Sequence, residues 1–274
     1  MTKLGKFPEN SLKALADRLV PISKREVLVA YKSWAPVYDW TFGMVARHGR
    51  NAAVERVNRL GGRVLEVGVG TGLSLSRYSS RVQVVGMDLS PHMLKQAQDR
   101  VENEKFDNVL GLSLMDASSM AYADNSFDVV TAMYVMTVAP DPKAVFNELC
   151  RVVRPGGEIL LVNHFSHDSG WRAYIERVFA PHAAWLGWRP RFPLAPFVDT
   201  PGLTLTNSRK LPPLGMFTML SLRKDEASAE MKDAPATLDR DAAEGQIEEK
   251  LPPVVAPARD VRGLVTAMSS DSGT

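Results

Sequence analysis

The chain has little of what marks an exported, metal-bound or membrane-spanning protein. Its 274 residues include one cysteine, Cys150. That excludes a disulfide within the chain, and its amphipathic surroundings suit a small buried thiol. The five histidines form no cluster with cysteine at metal-ligand spacing, so no metal is expected. No apolar run reaches the ~20 residues needed to cross a bilayer. The first residues, Met1-Thr-Lys-Leu-Gly-Lys6, lack the apolar core of a signal peptide. A cytoplasmic protein is expected. There is no internal repeat. Tryptophan is missing from the middle of the chain: all five lie outside it, at Trp34, Trp40, Trp171, Trp185 and Trp188.

What is present is a folded, basic body with an acidic end. A hydrophobic content of 45% suits a soluble core, and the length suits one large domain with appendages. The formal net charge of +2 is unevenly spread. From Asp225 onward there are eleven acids and five bases, a net of −6, which leaves +8 on residues 1–224. A basic body favours acidic partners, such as an anionic membrane or nucleic acid. The tail, with its Leu251-Pro-Pro-Val-Val-Ala-Pro stretch, has few large apolar residues and is expected to be disordered.

The densest signal is Val64-Leu65-Glu66-Val67-Gly68-Val69-Gly70-Thr71-Gly72. An apolar run reads as a buried strand and breaks into a glycine turn. Leu73, Leu75 and Tyr78 follow at helical spacing. Glycines let a backbone approach a ligand closely, and a helix start offers N–H groups. The spacing is G-x-G-x-G, not the G-x-G-x-x-G of pyrophosphate-binding dinucleotide folds. A second strand, 82–87, ends at Asp88, 16 residues after Gly72, near where a doubly wound fold places a ribose-binding carboxylate. Ser90-Pro91 then caps a helix. A third strand, 109–114, ends before Asp116. Ser126-Phe127-Asp128-Val129-Val130 opens a fourth, and Arg154-Pro155-Gly156-Gly157 turns into a fifth.

In this order these segments resemble the motifs of class I S-adenosylmethionine (SAM) methyltransferases. The resemblance implies an α/β fold, a doubly wound, Rossmann-like sheet of seven strands, and SAM as co-substrate. SAM has no phosphate, so its carboxylate would meet the turn's N–H groups. Gly68, Gly70 and Gly72 shape the turn, with Thr71 inside it. Glu66 orients the SAM ammonium or the turn itself. Asp88 is assigned to the ribose hydroxyls, and Asp116 with the N–H of Ala117 to the adenine edge. Leu89, Met93 and Met133 are candidates to sandwich the ring, or plain core.

The coarse element order is helices over 10–20, 24–40 and 44–60, then strands near 63–67, 82–87, 109–114, 128–134 and 157–163. Helices near 72–79, 91–104 and 141–153 alternate with them. A hairpin of 203–208 and 216–222 closes the sheet. The expected divisions are an amphipathic arm over 1–43, a SAM-binding domain over 44–223 with an aromatic insert at 164–200, and the tail over 224–274. The insert interleaves aromatics with arginines, including Arg189 and Phe192. Such a surface suits an anionic headgroup beneath a lipid tail, or nucleic acid, or a lid packed on the core. In the arm, Leu12, Leu15, Ala16, Leu19 and Val20 share one face. Residues 1–50 carry nine bases and four acids. A basic amphipathic helix can lie in a bilayer interface and bind anionic lipid, or pack on its own domain.

A narrower resemblance rests on Tyr31-Lys-Ser-Trp34-Ala-Pro-Val-Tyr38-Asp39-Trp40-Thr-Phe42-Gly43. It is similar to a signature shared by quinone C-methyltransferases and bacterial phospholipid N-methyltransferases. Glu66 through Gly72, Tyr134-Val-Met-Thr-Val, Val162-Asn163-His164-Phe165 and Pro212-Pro213-Leu-Gly215-Met-Phe217 resemble the second group. That is the soluble bacterial phosphatidylethanolamine N-methyltransferase type. The resemblance implies successive N-methylation of a phospholipid at a membrane surface, by a monomer held peripherally on the inner face. Tyr31, Tyr38, Trp34 and Tyr134 are candidates to hold the methylated cation by cation–π attraction. Tyr31 is also a candidate for the carboxylate end of SAM. His164 is a candidate for proton handling or for gripping the lipid phosphate, and Asp39 is a second base candidate. A quinone C-methyltransferase, a small-molecule methyltransferase and a SAM-binding regulator share the core and stay open. Nucleic acid is not the expected substrate, because Ala132-Met133-Tyr134-Val135 lacks the Asn-Pro-Pro-Tyr run of amino-directed DNA enzymes.

Overall fold

A computed structural model describes residues 46–166, 189, 192–212 and 215–226. Helix α1 (Arg47–Leu60) leads into β1 (Gly62–Val67) through Gly61, whose φ of 72° ends the helix. Then come β2 (Val82–Asp88), α2 (Pro91–Glu104), β3 (Val109–Leu114), β4 (Phe127–Met133), α3 (Pro142–Val152) and β5 (Val153–Asn163). A one-turn α4 (Ala195–Val198) precedes β6 (Leu203–Leu211) and β7 (Phe217–Lys224). Both strong helix starts follow from their caps. The Ser90 hydroxyl accepts the Met93 N–H, the Asp141 carboxylate accepts the Ala144 N–H, and each cap is followed by proline.

The seven strands form one sheet in the order β3-β2-β1-β4-β5-β7-β6. β1 to β5 run parallel and β7 is antiparallel to both β5 and β6. The expected doubly wound, seven-stranded class I methyltransferase sheet is therefore present. The expected helices over 10–20 and 24–40, and the tail, lie outside the described residues.

Two faces are buried. On one, Val54 and Val57 of α1 and Leu94 and Ala97 of α2 cover Val64, Val84, Val129 and Leu160. Further along, Ala46, Ala52 and Ala53 pack on Met133, Tyr134, Val162, Phe217 and Met219. On the other face, Phe146 and Leu149 of α3 cover Leu65, Val67, Val130, Ala132, Ile159 and Leu161. Phe197 of α4 meets Phe146 edge-on at 5.0 Å and stacks on Phe192 at 5.3 Å. Alternate residues of each strand serve opposite faces, so nearly unbroken apolar runs are needed. One charged tie crosses the first face. The Arg56 guanidinium donates twice to the buried Glu158 carboxylate, at 2.8 and 2.7 Å, and pins α1 to β5.

Two expectations are corrected, and at two residues an open alternative is decided. The helix expected over 72–79 is only a 3-10 turn at Leu75–Arg77. Ser74, Ser76, Ser79 and Ser80 crowd this stretch, and serine favours turns over helix interiors. The Pro155-Gly156-Gly157 turn lies inside β5, not before it. Phe127 pairs with Val153 and Val129 with Glu158, so the extra residues bulge out while both ends stay in register. Within the aromatic insert, Arg189 and Phe192 do not form a surface. Phe192 is buried in the core beside Phe165 and Phe197. Arg189 is also buried, and its guanidinium donates to the carbonyls of Thr137, Ala139 and Pro140. Burial lowers its pKa to about 10, opposed by the Asp141 carboxylate. The insert's tryptophans lie outside the described residues.

Gly49 on α1 tests this packing. A Cβ there would fall on the Tyr134 hydroxyl and on Val162 Cγ1. Helix propensity favours Gly49→Ala by about 1 kcal/mol. The overlap should win, with a net loss of about 1–3 kcal/mol. Urea unfolding decides between them: a gain in stability would show that α1 does not pack this closely.

Candidate active site

The strand order reverses between β1 and β4, and in such sheets ligands bind outside the carboxyl ends of the strands at that point. The two loops that diverge there touch. A Cβ on Gly68 would overlap Val135 of the β4 loop, and Gly68 has φ 73°. Glycine is required here for close approach. At Gly70, φ 58°, a Cβ would meet nothing within 4 Å among the described residues, so on that side they leave the middle of the turn open.

Four of the turn's N–H groups are engaged within the fold. Those of Gly68 and Val69 donate to the Met87 carbonyl, and that of Gly72 to Val69. The Gly70 N–H donates to the Asp88 carboxylate at 2.9 Å. Thr71 is buried, and its carbonyl accepts from Arg100 Nε at 3.1 Å. The turn is thus strapped to β2 and α2, and what it presents to the open side is bare backbone.

The acids fall into two kinds. Asp88 is half-buried at the end of β2 and accepts the N–H groups of Gly70 and Ser90, both at 2.9 Å. Burial raises its pKa, opposed by backbone N–H groups of Ser90, Gly70 and Leu89. A carboxylate has about four acceptor positions, so capacity remains for ribose. Glu66 is buried. One oxygen accepts from Ser74 Oγ at 2.6 Å and the other from the Tyr78 hydroxyl at 2.8 Å. Burial pushes its carboxyl up to about 7, and the Ser74 and Tyr78 hydrogen bonds oppose that rise. The two readings of Glu66 were the SAM ammonium and the turn; its partners are those of the turn. Tyr78 was read from the sequence only as an apolar spacer. Its hydroxyl is the missed feature, and no spacing rule points a tyrosine back at an acid twelve residues earlier.

Asp116 follows β3, where its Oδ1 accepts from the N–H and Oγ of Ser118 at 2.9 and 2.7 Å. The Met115 N–H donates to the Asp88 carbonyl at 3.0 Å, which sets the two acids side by side along the sheet edge. Leu89 and Ala117 are half-buried on the same edge, and Met93 is buried on α2. Met133 is not with them. It packs under α1 with Ala52, Tyr134 and Phe217 and is core.

Tyr134 leaves β4 with φ 65°, a strained value for a non-glycine residue. Its hydroxyl donates to the Ala46 carbonyl at 3.0 Å, and its ring meets Phe217 edge-on at 5.0 Å. With Tyr134 so buried, its ring face is committed to packing and not to a cation. His164 follows β5 directly, half-buried, with Nδ1 3.1 Å from the Met216 carbonyl. A carbonyl only accepts, so Nδ1 carries the proton and the neutral ring's lone pair is on Nε2. Tyr31, Tyr38 and Asp39 lie outside the described residues. Among the described residues no group of three metal-ligating side chains occurs, and no helix is long and apolar enough to cross a membrane.

Comparison with known proteins decides the family. A family profile described as a methyltransferase domain matches residues 65–161. A phosphatidylethanolamine N-methyltransferase of Cereibacter sphaeroides is 42% identical over 195 residues, covering 71% of this chain and 96% of that one. The chain belongs to that enzyme's family, within the class I SAM-dependent methyltransferases. It is a SAM-dependent methyltransferase, with SAM as co-substrate. A demethylmenaquinone methyltransferase of Renibacterium salmoninarum is 36% identical over 150 residues, 53% of this chain and 60% of that one. The fold is shared with the [4+2]-cyclase SpnF at a TM-score of 0.59 and 18% identity, covering 76% of this chain and 97% of that one. That likeness concerns fold alone.

The raised carboxyl of Glu66 fixes a pH dependence. Its pKa is higher folded than unfolded, so its contribution is complete below the unfolded value of about 4.5 and is lost as pH rises toward about 7. The stability of the wild type minus that of Glu66→Gln should fall across that window and level off above it. Urea titrations at several pH values measure this, and a flat difference would mean that Glu66 has the same pKa folded and unfolded.

Proposed function

We propose that this methyltransferase transfers methyl groups to the amine of phosphatidylethanolamine and of its mono- and dimethyl derivatives, toward phosphatidylcholine. The observation that carries this reading is the 42% identity to the Cereibacter enzyme across 96% of that enzyme's length. The quinone reading has a match that stops at 60% of its relative.

SAM supplies a methyl on a sulfonium, already activated for in-line displacement, so the protein's main task is alignment. Gly70 leaves space for the donor, Asp88 holds its ribose, and Asp116 with Ala117 faces its adenine. Leu89 and Met93 line the ring. Glu66, held by Ser74 and Tyr78, keeps the turn in shape. The attacking amine must be neutral, and His164 Nε2, held in register by the Nδ1–H bond to Met216, takes its proton or grips the lipid phosphate. Asp39 is the second base. Tyr31, Trp34 and Tyr38 of the arm complete the acceptor side and hold the methylated cation. Tyr31 also meets the SAM carboxylate, a role that the strapped N–H groups of the turn leave open.

The arm over 1–43, with seven bases and four acids, would bring the domain over 44–223 to anionic lipid at the inner face of the membrane. The protein acts there as a monomer. Deleting residues 1–23 should then reduce sedimentation with anionic liposomes, most clearly at low salt.

Labelled SAM offered with phosphatidylethanolamine vesicles or with a demethylated quinone tests the reading by product chromatography. Labelled lipid is expected; label in the quinone alone would overturn it. His164→Ala should lower lipid turnover by about 10²-fold or more, as loss of a proton acceptor does, with SAM affinity unchanged. If turnover is unchanged, His164 is only a packing residue.

A further inference from the structure

At the last position of β5, Asn163 is wholly buried, and neither its Oδ1 nor its Nδ2 has a hydrogen-bond partner. Elsewhere among the described residues, the buried polar side chains that lack a partner do so at one atom; Asn163 does so at both. A buried amide left unbonded is costly, and such groups persist where a ligand later supplies the partner.

Its position in the fold says which ligand. Asn163 sits at the carboxyl edge of the sheet, beside the end of β4, where the Val162 carbonyl accepts the Tyr134 N–H. His164 follows it, and Thr218 of β7 pairs with it. Side chains alternate along β5. Val162 faces α1, while Leu161 and Phe165 join the cluster on the α3 side with Phe192 and Phe197. Asn163 shares the parity of Leu161 and Phe165. It is a lone amide set in an apolar, aromatic wall at the edge where the acceptor must meet the donor.

We infer that Asn163 is an acceptor-binding residue whose Oδ1 receives an N–H of the amine before attack. The inference rests on the lipid-amine reading above and deepens it. An amine held by one N–H turns its lone pair away from that oxygen, which orients it for displacement. The nitrogen then forms a bond to the methyl carbon as the carbon–sulfur bond breaks, and the electron pair leaves on sulfur as the neutral thioether. A neutral primary amine offers two N–H groups, a monomethyl amine one and a dimethyl amine none. Asn163 therefore discriminates between the successive acceptors: it assists the first two methylations and not the third.

The test is Asn163→Leu, close in volume and without polar atoms. Turnover on phosphatidylethanolamine and on its monomethyl form should fall about tenfold, the value of one hydrogen bond. Turnover on the dimethyl form should stay within about threefold, and SAM affinity should not change. The melting temperature should hold or rise, because a costly buried group is gone. Equal losses on all three lipids, or none, would overturn the inference. If the leucine variant does not fold, Asn163→Ala carries the same comparison of acceptors. Wild-type protein that methylates no lipid amine would instead defeat the parent reading, before any variant is compared.

Discussion

The hydrogen bond from the Gly70 N–H to the Asp88 carboxylate, 2.9 Å long, holds the site together. It joins the turn after β1 to the end of β2, the two strands that flank the reversal of the sheet on one side. Because Gly70 adopts φ 58°, its N–H can reach across while its other side stays open. The same carboxylate accepts the Ser90 N–H and so fixes the start of α2. One acid thus organises the turn, the helix entry and the open space between them. Were it protonated or removed, the backbone around the donor's place would lose its common anchor.

Around that anchor, buried polar groups are paired in a way that a purely apolar core would not need. Glu66 is closed by Ser74 and Tyr78, and Glu158 by the fork of Arg56. Buried Arg189 is spread over carbonyls of the β4–α3 loop. Each pairing ties a loop or helix to the sheet or to its neighbouring loop. Breaking one member would leave an uncompensated buried group, which costs far more than the pair itself contributes. Asn163 stands out against this background because both ends of its amide lack a partner.

The sheet was legible because its strands are apolar runs that end in acids or glycines, and its helices because Ser90-Pro91 and Asp141-Pro142 cap them locally. The turn glycines were legible as a set, but not their separate duties: contact with Val135 for Gly68, an open face for Gly70. The pairings that cross the chain were not legible. Arg56 meets Glu158 only once segments a hundred residues apart are adjacent, and Tyr78 meets Glu66 only once the chain after the glycine turn folds back over the end of β1. Arg189 and Phe192 left a surface and a lid packed on the core equally open for the same reason. An arginine among aromatics reads as surface until the carbonyls it caps, fifty residues earlier, are folded beside it. For Met133 the sequence left a ring contact and plain core both open, and its parity on β4, which turns it under α1, decides for core.

Titration calorimetry with SAM, on the wild type and on Asp88→Ala, addresses the central claim most directly. If Asp88 both straps the glycine turn and holds the ribose, the variant should bind SAM at least about tenfold more weakly, as expected on losing a charged acceptor. It should lose comparable affinity for adenosine, which shares the ribose but not the methionine part. Unchanged affinity for SAM in a folded Asp88→Ala protein would contradict the account.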